Sequence, residues 1–233
     1  MQTVNSDRAY DFIRKRILDG DYPPGSALMT EQLSSDIGVS RTPIRDALRQ
    51  LESDGLVSIR ARLGASVKTM DLKEFREACE LRLALESHAA GLAARNHTKA
   101  ELQEIGYAFD AMRELTGRLV KSPQEEPVLG DLRQEDVRFH VAIITAAKND
   151  LLKKEILRLH LINRVVATPA PSGPDPVVDR KERDRRRIDV LASHEEILAA
   201  IRRADVAAAK DAMERHIQDI IDNTMRLIAR TGG

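Results

Sequence analysis

In the first part of the chain, short segments with regularly spaced apolar residues are separated by turn segments. Residues 7–19 carry apolar side chains at helical spacing, which predicts an amphipathic helix whose buried side is formed by Ala9, Phe12, Ile13 and Ile17. A turn segment rich in proline and glycine follows at 20–27. A second, short helix is predicted from Thr30 to Ile37, with Thr30 as its N-cap and Gly38 at the turn that ends it.

The next helix has an apolar face and a basic face. Ser40 can cap this helix and Pro43 fits its first turn, and the apolar face is formed by Ile44, Ala47, Leu48 and Leu51. Off that face lie side chains that can point outward, namely Arg41, Thr42, Arg45 and Arg49. Two short strands are then predicted at 56–59 and 65–68, joined by a turn that includes Arg62.

Helix, turn, basic helix and hairpin are together the parts of a winged helix-turn-helix. In such a unit the second helix enters a major groove of DNA, and the wing reaches phosphates or the minor groove. The whole chain has 37 Lys+Arg and 37 Asp+Glu, so its net charge indicates nothing about nucleic acid. Residues 41–68 hold six basic and three acidic side chains, a surplus that is equally typical of a solvated helix face. The DNA-binding prediction therefore depends on the turn and the wing.

Near residue 70 the pattern changes to long helices rich in alanine and leucine, without further strand signals. We therefore predict two domains, 1–70 and 71–233, the second an antiparallel all-helical bundle. Its predicted helices are 72–95, 98–119, 131–147, 150–166, 179–204 and 206–230, the last capped by Asp205. Residues 168–176 contain four prolines and predict a loop. The arginine-rich run 183–187 is interleaved with acidic residues, which favours a solvated helix face over a nucleic-acid patch.

The composition bears on the cellular compartment. The single cysteine, Cys79, excludes an internal disulfide, suits a reducing compartment and lies in a helical pattern as a small core residue. No apolar run approaches the roughly 18 residues of a membrane span, and the N-terminus lacks the apolar segment of a signal peptide. We therefore expect a cytoplasmic protein without a membrane partner.

Three histidines lie beside the apolar stripes of three different helices. Asp136 and His140 are four residues apart and so share one helix face, where both can meet one ion. His194 and His216 lie among apolar residues of two later helices. A buried aspartate with several imidazoles needs a compensating partner, and a divalent cation would supply it. A single histidine on an apolar face is, however, more often a hydrogen-bonded core residue.

The segment SRTPIRDALRQLESDGLV, at 40–57, is similar to the signature of the GntR family of bacterial transcription regulators, and 22–39 match the segment that precedes it. The resemblance implies that the chain contacts DNA through Arg41, Thr42, Arg45 and Arg49 and through a wing that has Gly64 at its tip and includes Arg62.

Residues 72–230 resemble the all-helical FCD domain of the FadR subfamily of GntR regulators. The resemblance implies a divalent metal bound by Asp136, His140, His194 and His216. Three imidazoles and one carboxylate suit Zn²⁺, Ni²⁺, Co²⁺ or Mn²⁺, and the order of affinities favours zinc or nickel. Arg82 matches a family arginine that faces the same cavity and can clamp a carboxylate, although an ordinary helix pair with Glu86 is the alternative. Further candidates for the effector pocket are Asn163 and Arg164.

The resemblance implies a metabolite-responsive regulator, most often a repressor, that binds a near-palindromic operator in double-stranded DNA as a homodimer and a small carboxylate as its effector. Two alternatives stay open. A metal-dependent enzyme could use the same ligands to activate water, but we find no HExxH segment, acid–base pair or nucleophile motif. The metal could also be purely structural, holding three helices together.

Overall fold

A computed structural model describes residues 2–69, 71–122, 125, 127–166 and 179–231. The chain forms two compact units. Residues 2–69 and 71–75 belong to the first unit, together with the end of the helix that closes at Val166. The second unit contains the described residues of 76–156 and 179–231. The predicted domain boundary near residue 70 stays a prediction.

The first unit consists of helices and a small antiparallel sheet, as the sequence predicts for a winged helix-turn-helix. Its elements are α1 (Gln2–Asp19), β1 (Ala27–Leu28), α2 (Thr30–Ile37), α3 (Arg41–Ser53), β2 (Val57–Arg60) and β3 (Gly64–Val67). The strand order is β1-β3-β2, and Val57 of β2 pairs with Val67 of β3. Strand β1 was not predicted, because two residues are too few for a visible alternation of apolar and polar positions.

The core of the first unit is formed by the predicted apolar faces. It contains Ala9, Ile13 and Ile17 of α1, Leu33 and Ile37 of α2, and Ile44, Ala47, Leu48 and Leu51 of α3, whereas Phe12 is only partly buried. The predicted N-cap at Thr30 is wrong, since Met29 occupies the cap position and Thr30 begins the helix. Ser40 does cap α3, but its side chain makes no capping hydrogen bond. Gly38 has φ +72°, the left-handed conformation that ends α2 and that glycine adopts at little cost.

The second unit is all-helical, as predicted. Its helices are α4 (Leu72–Asn96), α5 (Lys99–Lys121), α6 (Val128–Ala146), α7 (Asp150–Val166), α8 (Arg180–Arg202) and α9 (Val206–Thr231), with the start of α4 and the end of α7 belonging to the first unit. Two of these helices begin at side-chain caps: Thr98 and Glu101 form a reciprocal capping box at the start of α5, and Asp205 accepts the backbone N–H of Ala208 at 3.0 Å at the start of α9. The predicted cap at Asp205 is thus confirmed, and the predicted loop at 168–176 lies outside the described residues.

One prediction for the second unit needs correction. The run 183–187 is not a uniformly solvated helix face, because the side chains of Arg183 and Arg187 are only 21% and 13% exposed. Both contact the carboxylate of Glu125, while Arg185 is 78% exposed. The reason is tertiary, since Glu125 comes from the connection between α5 and α6. Cys79 is buried, as predicted.

Within the described ranges, no helix combines the length and the apolar character that crossing a membrane requires.

Candidate DNA-binding surface and metal centre

Helix α3 presents a row of exposed polar side chains. Arg41, Thr42, Arg45 and Arg49 are all exposed, while the opposite side of the helix is buried in the core. Arg41 is 62% exposed and lies 3.4 Å from the carboxylate of Glu31, a weak surface pair. The row is therefore accessible to a partner along its whole length.

The turn between β2 and β3 forms an exposed basic wing. Arg62 and Gly64 are both exposed and have φ of +66° and +85°. The amide N–H of Leu63 donates to the carbonyl of Arg60 at 3.1 Å, which closes the turn. Arginine rarely adopts positive φ, so the backbone at Arg62 is strained.

An exposed basic helix supported by a second helix, followed by a basic wing, is the arrangement by which winged-helix proteins bind DNA. An α-helix fits into the major groove of DNA, and the wing can reach the phosphates or the minor groove. This class of fold, joined to an all-helical domain, is typical of bacterial transcription regulators.

In the second unit, three buried histidines converge from three helices. The candidate ligand nitrogens of His140 (α6), His194 (α8) and His216 (α9) lie within 4.8 Å of one another. The centroids of the His194 and His216 rings are 4.2 Å apart, and His140 stacks on His216 at 5.2 Å. All three side chains are at most 3% exposed. Asp136, one turn before His140, brings Oδ1 to 3.2 Å from Nε2 of His194.

Two of the imidazoles have their outer nitrogen, Nδ1, within hydrogen-bond distance of an oxygen of α8. Nδ1 of His194 lies 2.7 Å from the carbonyl oxygen of Val190, which can only accept, so this nitrogen carries a proton. Nδ1 of His216 lies 2.8 Å from Oγ of Ser193. The Nε2 atom of His216 is buried and has no hydrogen-bond partner among the residues that the structure describes.

The third imidazole, His140, lies against a buried carboxylate. Its Nδ1 is 3.1 Å from Oε2 of Glu86, a residue of α4 that is only 1% exposed. The other oxygen of Glu86 accepts a hydrogen bond from Nε of Arg82 at 2.8 Å. A carboxylate behind a histidine is a common way to orient a metal-binding imidazole and to make its other nitrogen more basic.

The cluster shifts the pKa values of its members in opposite directions. Partial burial opposes the ionised form of Asp136, but the imidazole of His194 and the other histidines outweigh it and hold the pKa of Asp136 well below its usual value. Burial also opposes protonation of His140, but the carboxylate of Glu86 raises the pKa of His140 above its usual value. Burial and the neighbouring histidines lower the pKa of His216 to about 2. His216 is therefore neutral at physiological pH.

The donor set fits a divalent metal ion. Nε2 of His194 and Oδ1 of Asp136 lie 3.2 Å apart, a distance at which a proton or a cation must lie between them. A proton on Nε2 of His194 would remove only the repulsion between these two atoms. A cation would remove it and would also bind Nε2 of His216, which has no hydrogen-bond partner among the described residues. Three imidazoles with one carboxylate suit a borderline ion such as zinc or nickel.

A polar cavity of about 380 Å³ borders this cluster between α8 and α9. Its walls include Ser193 and His216. They also carry charged side chains of both signs, namely Arg185, Arg186, Arg226, Glu182, Asp189 and Asp219. Arg82, predicted to bind an effector, forms the ion pair with Glu86 that was the alternative to this role, and its effector role stays a prediction. Asn163 and Arg164 belong to a stretch whose side chains lie outside the described part of the chain.

Sequence reasoning missed the residues behind the histidines, namely Glu86, Val190 and Ser193. The sequence did carry a signal for Ser193, because it precedes His194 in one helix. A helix carbonyl, here that of Val190, can accept from the side chains of the third and fourth residues that follow it. The contribution of Glu86 was hidden, because its partner His140 is 54 residues further along the chain.

Comparisons with known proteins agree with this class. The bacterial regulatory proteins of the GntR family match residues 5–67, and the FCD domain matches residues 77–219. A probable transcriptional repressor of a D-xylose utilization operon from Paenarthrobacter nicotinovorans is 28% identical over 93% of this chain and 87% of its own length. The repressor RspR of Escherichia coli is 25% identical over 97% and 91%. The solved structure of McbR/YncC from E. coli has the same fold, with a TM-score of 0.70 at 19% identity over 96% of this chain and 98% of that one.

The chain belongs to the GntR family of bacterial transcriptional regulators and carries an FCD domain. It is a DNA-binding transcription regulator, and the family and its relatives are not enzymes. The predicted fold class and the predicted absence of enzymatic activity are thereby confirmed, and the metal-dependent enzyme is discarded.

Proposed function

We propose that this regulator is a repressor that binds its operator as a homodimer and responds to a small organic acid through a bound divalent metal. Two relatives over nearly the whole chain are named repressors, which supports the direction of control. The sensing part rests on one observation, the convergence of three imidazoles whose outer nitrogens are already occupied by Glu86, Val190 and Ser193.

The metal would be held by Asp136, His140, His194 and His216. The buried imidazoles offer nitrogen donors, of which His216 is neutral at physiological pH, and Asp136 offers an ionised oxygen, since its pKa lies well below physiological pH. When bound, such an ion supplies a Lewis-acidic centre with positions left for oxygen ligands. Zinc and nickel are the favoured ions for this donor set. Because the side chain of Asp136 is 42% exposed, the ion can enter from its side of the cluster.

The effector would occupy the polar cavity between α8 and α9. A volume of about 380 Å³ lies within the range of small-molecule sites. One wall contains His216, whose Nε2 is buried, so an effector in the cavity would act on the metal site through this side chain. The three arginines of the wall can bind a carboxylate, and the three carboxylates of the wall, Glu182, Asp189 and Asp219, balance their charge. The class of effector that fits is a small carboxylic acid.

On DNA, two copies of α3 would occupy successive major grooves, about one helical turn apart, on a near-palindromic operator. Arg41, Arg45 and Arg49 are exposed and can contact phosphates or guanine edges. The effector controls this binding only if it binds one arrangement of the protein more tightly than another.

The first experiment measures metal binding. Wild-type protein, freed of metal with a chelator, is titrated with zinc against a chromophoric indicator, beside Asp136→Asn and the control Asp131→Asn, which changes an exposed carboxylate on the same helix. We expect one zinc per chain for the wild type and the control, and at least a tenfold weaker affinity for Asp136→Asn. A wild type that binds no zinc at micromolar concentration contradicts the proposal.

The second experiment tests the effector. Binding to a DNA fragment from upstream of the protein's own gene is followed by fluorescence anisotropy at fixed salt, with zinc present, while mono-, di- and tricarboxylates are added. We expect one class of carboxylate to lower the affinity for DNA at least tenfold in the wild type, and not in Asp136→Asn.

A purely structural metal is the second candidate, because the proposed ligands come from α6, α8 and α9 and would hold these helices together. The two candidates differ in one result. If zinc raises the melting temperature but no carboxylate changes DNA binding, the metal is structural.

A further inference from the structure

We propose that Ser193 is a positioning residue that fixes the tautomer in which His216 meets the metal. The inference extends the metal site proposed above, but it concerns protons that are present with or without a metal. It rests on three hydrogen bonds behind the imidazoles of His194 and His216.

A count of protons gives the direction of each bond. Oγ of Ser193 lies 2.7 Å from the carbonyl oxygen of Val190, and a carbonyl can only accept, so the single proton of the hydroxyl is used there. The same Oγ lies 2.8 Å from Nδ1 of His216 and can only accept from it. Nδ1 of His216 must therefore carry the ring proton, and Nε2 keeps its lone pair.

The carbonyl of Val190 serves both imidazoles. It accepts from Ser193 and also from Nδ1 of His194 at 2.7 Å. One oxygen of α8 therefore sets the proton position of His194 directly and that of His216 through the serine hydroxyl. Both rings then present Nε2, the nitrogen that the metal needs unprotonated.

Removal of the hydroxyl would release this constraint on His216. In Ser193→Ala, Nδ1–H loses its acceptor, and the proton can move to Nε2, where it blocks coordination. Ser193 and His216 also border the cavity, so water can replace part of the lost bond. We therefore expect a tenfold loss of zinc affinity, the lower end of the effects known for residues that orient metal ligands.

The first test needs no metal. In metal-free protein at pH 8, ¹⁵N chemical shifts of the histidine rings distinguish the two neutral tautomers. We expect His216 to be protonated on Nδ1 in the wild type, to show a mixture or the other tautomer in Ser193→Ala, and to return to the wild-type state in Ser193→Thr, which retains a hydroxyl. Identical shifts in the wild type and Ser193→Ala overturn the proposal.

The second test measures zinc affinity by competition with an indicator. Ser193→Ala should bind zinc about tenfold more weakly, Ser193→Thr should recover the affinity, and the control Ser87→Ala should match the wild type. Ser87 is a suitable control because its hydroxyl bonds only a carbonyl of its own helix, that of Ala84. An affinity of Ser193→Ala within twofold of the wild type overturns the proposal, whatever the tautomer. If the wild type itself binds no zinc, the proposed metal fails, and the ¹⁵N shifts alone decide the role of Ser193.

Discussion

Replacing Arg187 by methionine should destabilise the helical domain, although arginine-rich helix faces usually tolerate substitution. Arg187 lies 2.7 Å from Glu125 and 2.7 Å from Asp184. These three side chains are only 13%, 12% and 15% exposed. Methionine keeps the apolar stem of the side chain but removes the charge, so two largely buried carboxylates lose their main partner.

The magnitude follows from this burial. Breaking a buried ion pair by removing one partner costs about 3–5 kcal/mol, whereas an exposed pair contributes about 0–1 kcal/mol. Because some water still reaches each group, and Arg183 also contacts Glu125, we expect a loss of about 2–3 kcal/mol. The pKa of Glu125 is lowered by its hydrogen bond to Arg187, so this contribution is fully present above the usual pKa of a glutamate. It decreases progressively as the pH falls from about 4.3 through the lowered pKa of the folded protein.

The assay is urea unfolding followed by circular dichroism at pH 7 and at pH 3.5. Arg185→Met is the matched control, since Arg185 lies two residues away on the same helix, is 78% exposed and approaches Asp189 only to 3.9 Å. We expect the control to lose less than about 0.5 kcal/mol and the difference between the two variants to shrink at pH 3.5. Equal losses in both variants at pH 7 would refute the reasoning.

Three further predictions concern the DNA-binding unit and one helix cap. Arg45→Ala should weaken operator binding by about 1–3 kcal/mol, measured by fluorescence anisotropy, because its exposed side chain lies on the surface of α3. Arg62→Gly should raise the free energy of unfolding by about 1 kcal/mol in urea, because glycine accepts φ +66° without strain. Glu101→Gln should destabilise the protein at pH 7 but not near pH 2, since bonds from Lys148 and Thr98 lower the pKa of Glu101 to about 2 and their contribution is lost as the carboxyl is protonated.

Each of these predictions has a result that would contradict it. For Arg45, the control is Arg8→Ala, an exposed arginine of α1, and equal effects of the two variants would show that only general charge matters. For Arg62, an unchanged or lower stability of the glycine variant would mean that the turn is not strained. For Glu101, a pH-independent difference between wild type and variant would exclude the ionised carboxylate as its source.

Much of the fold follows from local signals in the sequence. The apolar faces of α1 to α3 and the glycine turn at Gly38 depend only on residues a few positions apart, and the structure confirms them. The helices of the second unit begin within a few residues of their predicted starts for the same reason. The predictions that were wrong or missing also concern short segments. Thr30 is the residue after the N-cap of α2, and β1 is too short to show an alternation of apolar and polar positions.

Only part of the candidate metal centre could be predicted from spacing in the sequence. Two of its proposed ligands lie on one helix, whereas the other two lie on two separate helices. Asp136 and His140 share a face of α6 by spacing alone, whereas His194 and His216 joined them only through a family resemblance. Their proximity is tertiary, as is the contact between Arg187 and Glu125, 62 residues apart. Periodicity places a side chain on a face, but it does not identify what packs against that face.

The hydrogen bonds to the carbonyl of Val190 are one part of the site that the sequence does determine. Within one helix, a carbonyl can accept from the side chains of the third and fourth residues that follow it, so the positions of Ser193 and His194 relative to Val190 are fixed by helix geometry alone. The bond to the Val190 carbonyl thus defines the proton position of His194 before any tertiary contact forms. The hydroxyl of Ser193, bonded to the same carbonyl, is an acceptor available to a second imidazole. The tertiary fold has only to bring His216 to that acceptor, 23 residues further along the chain.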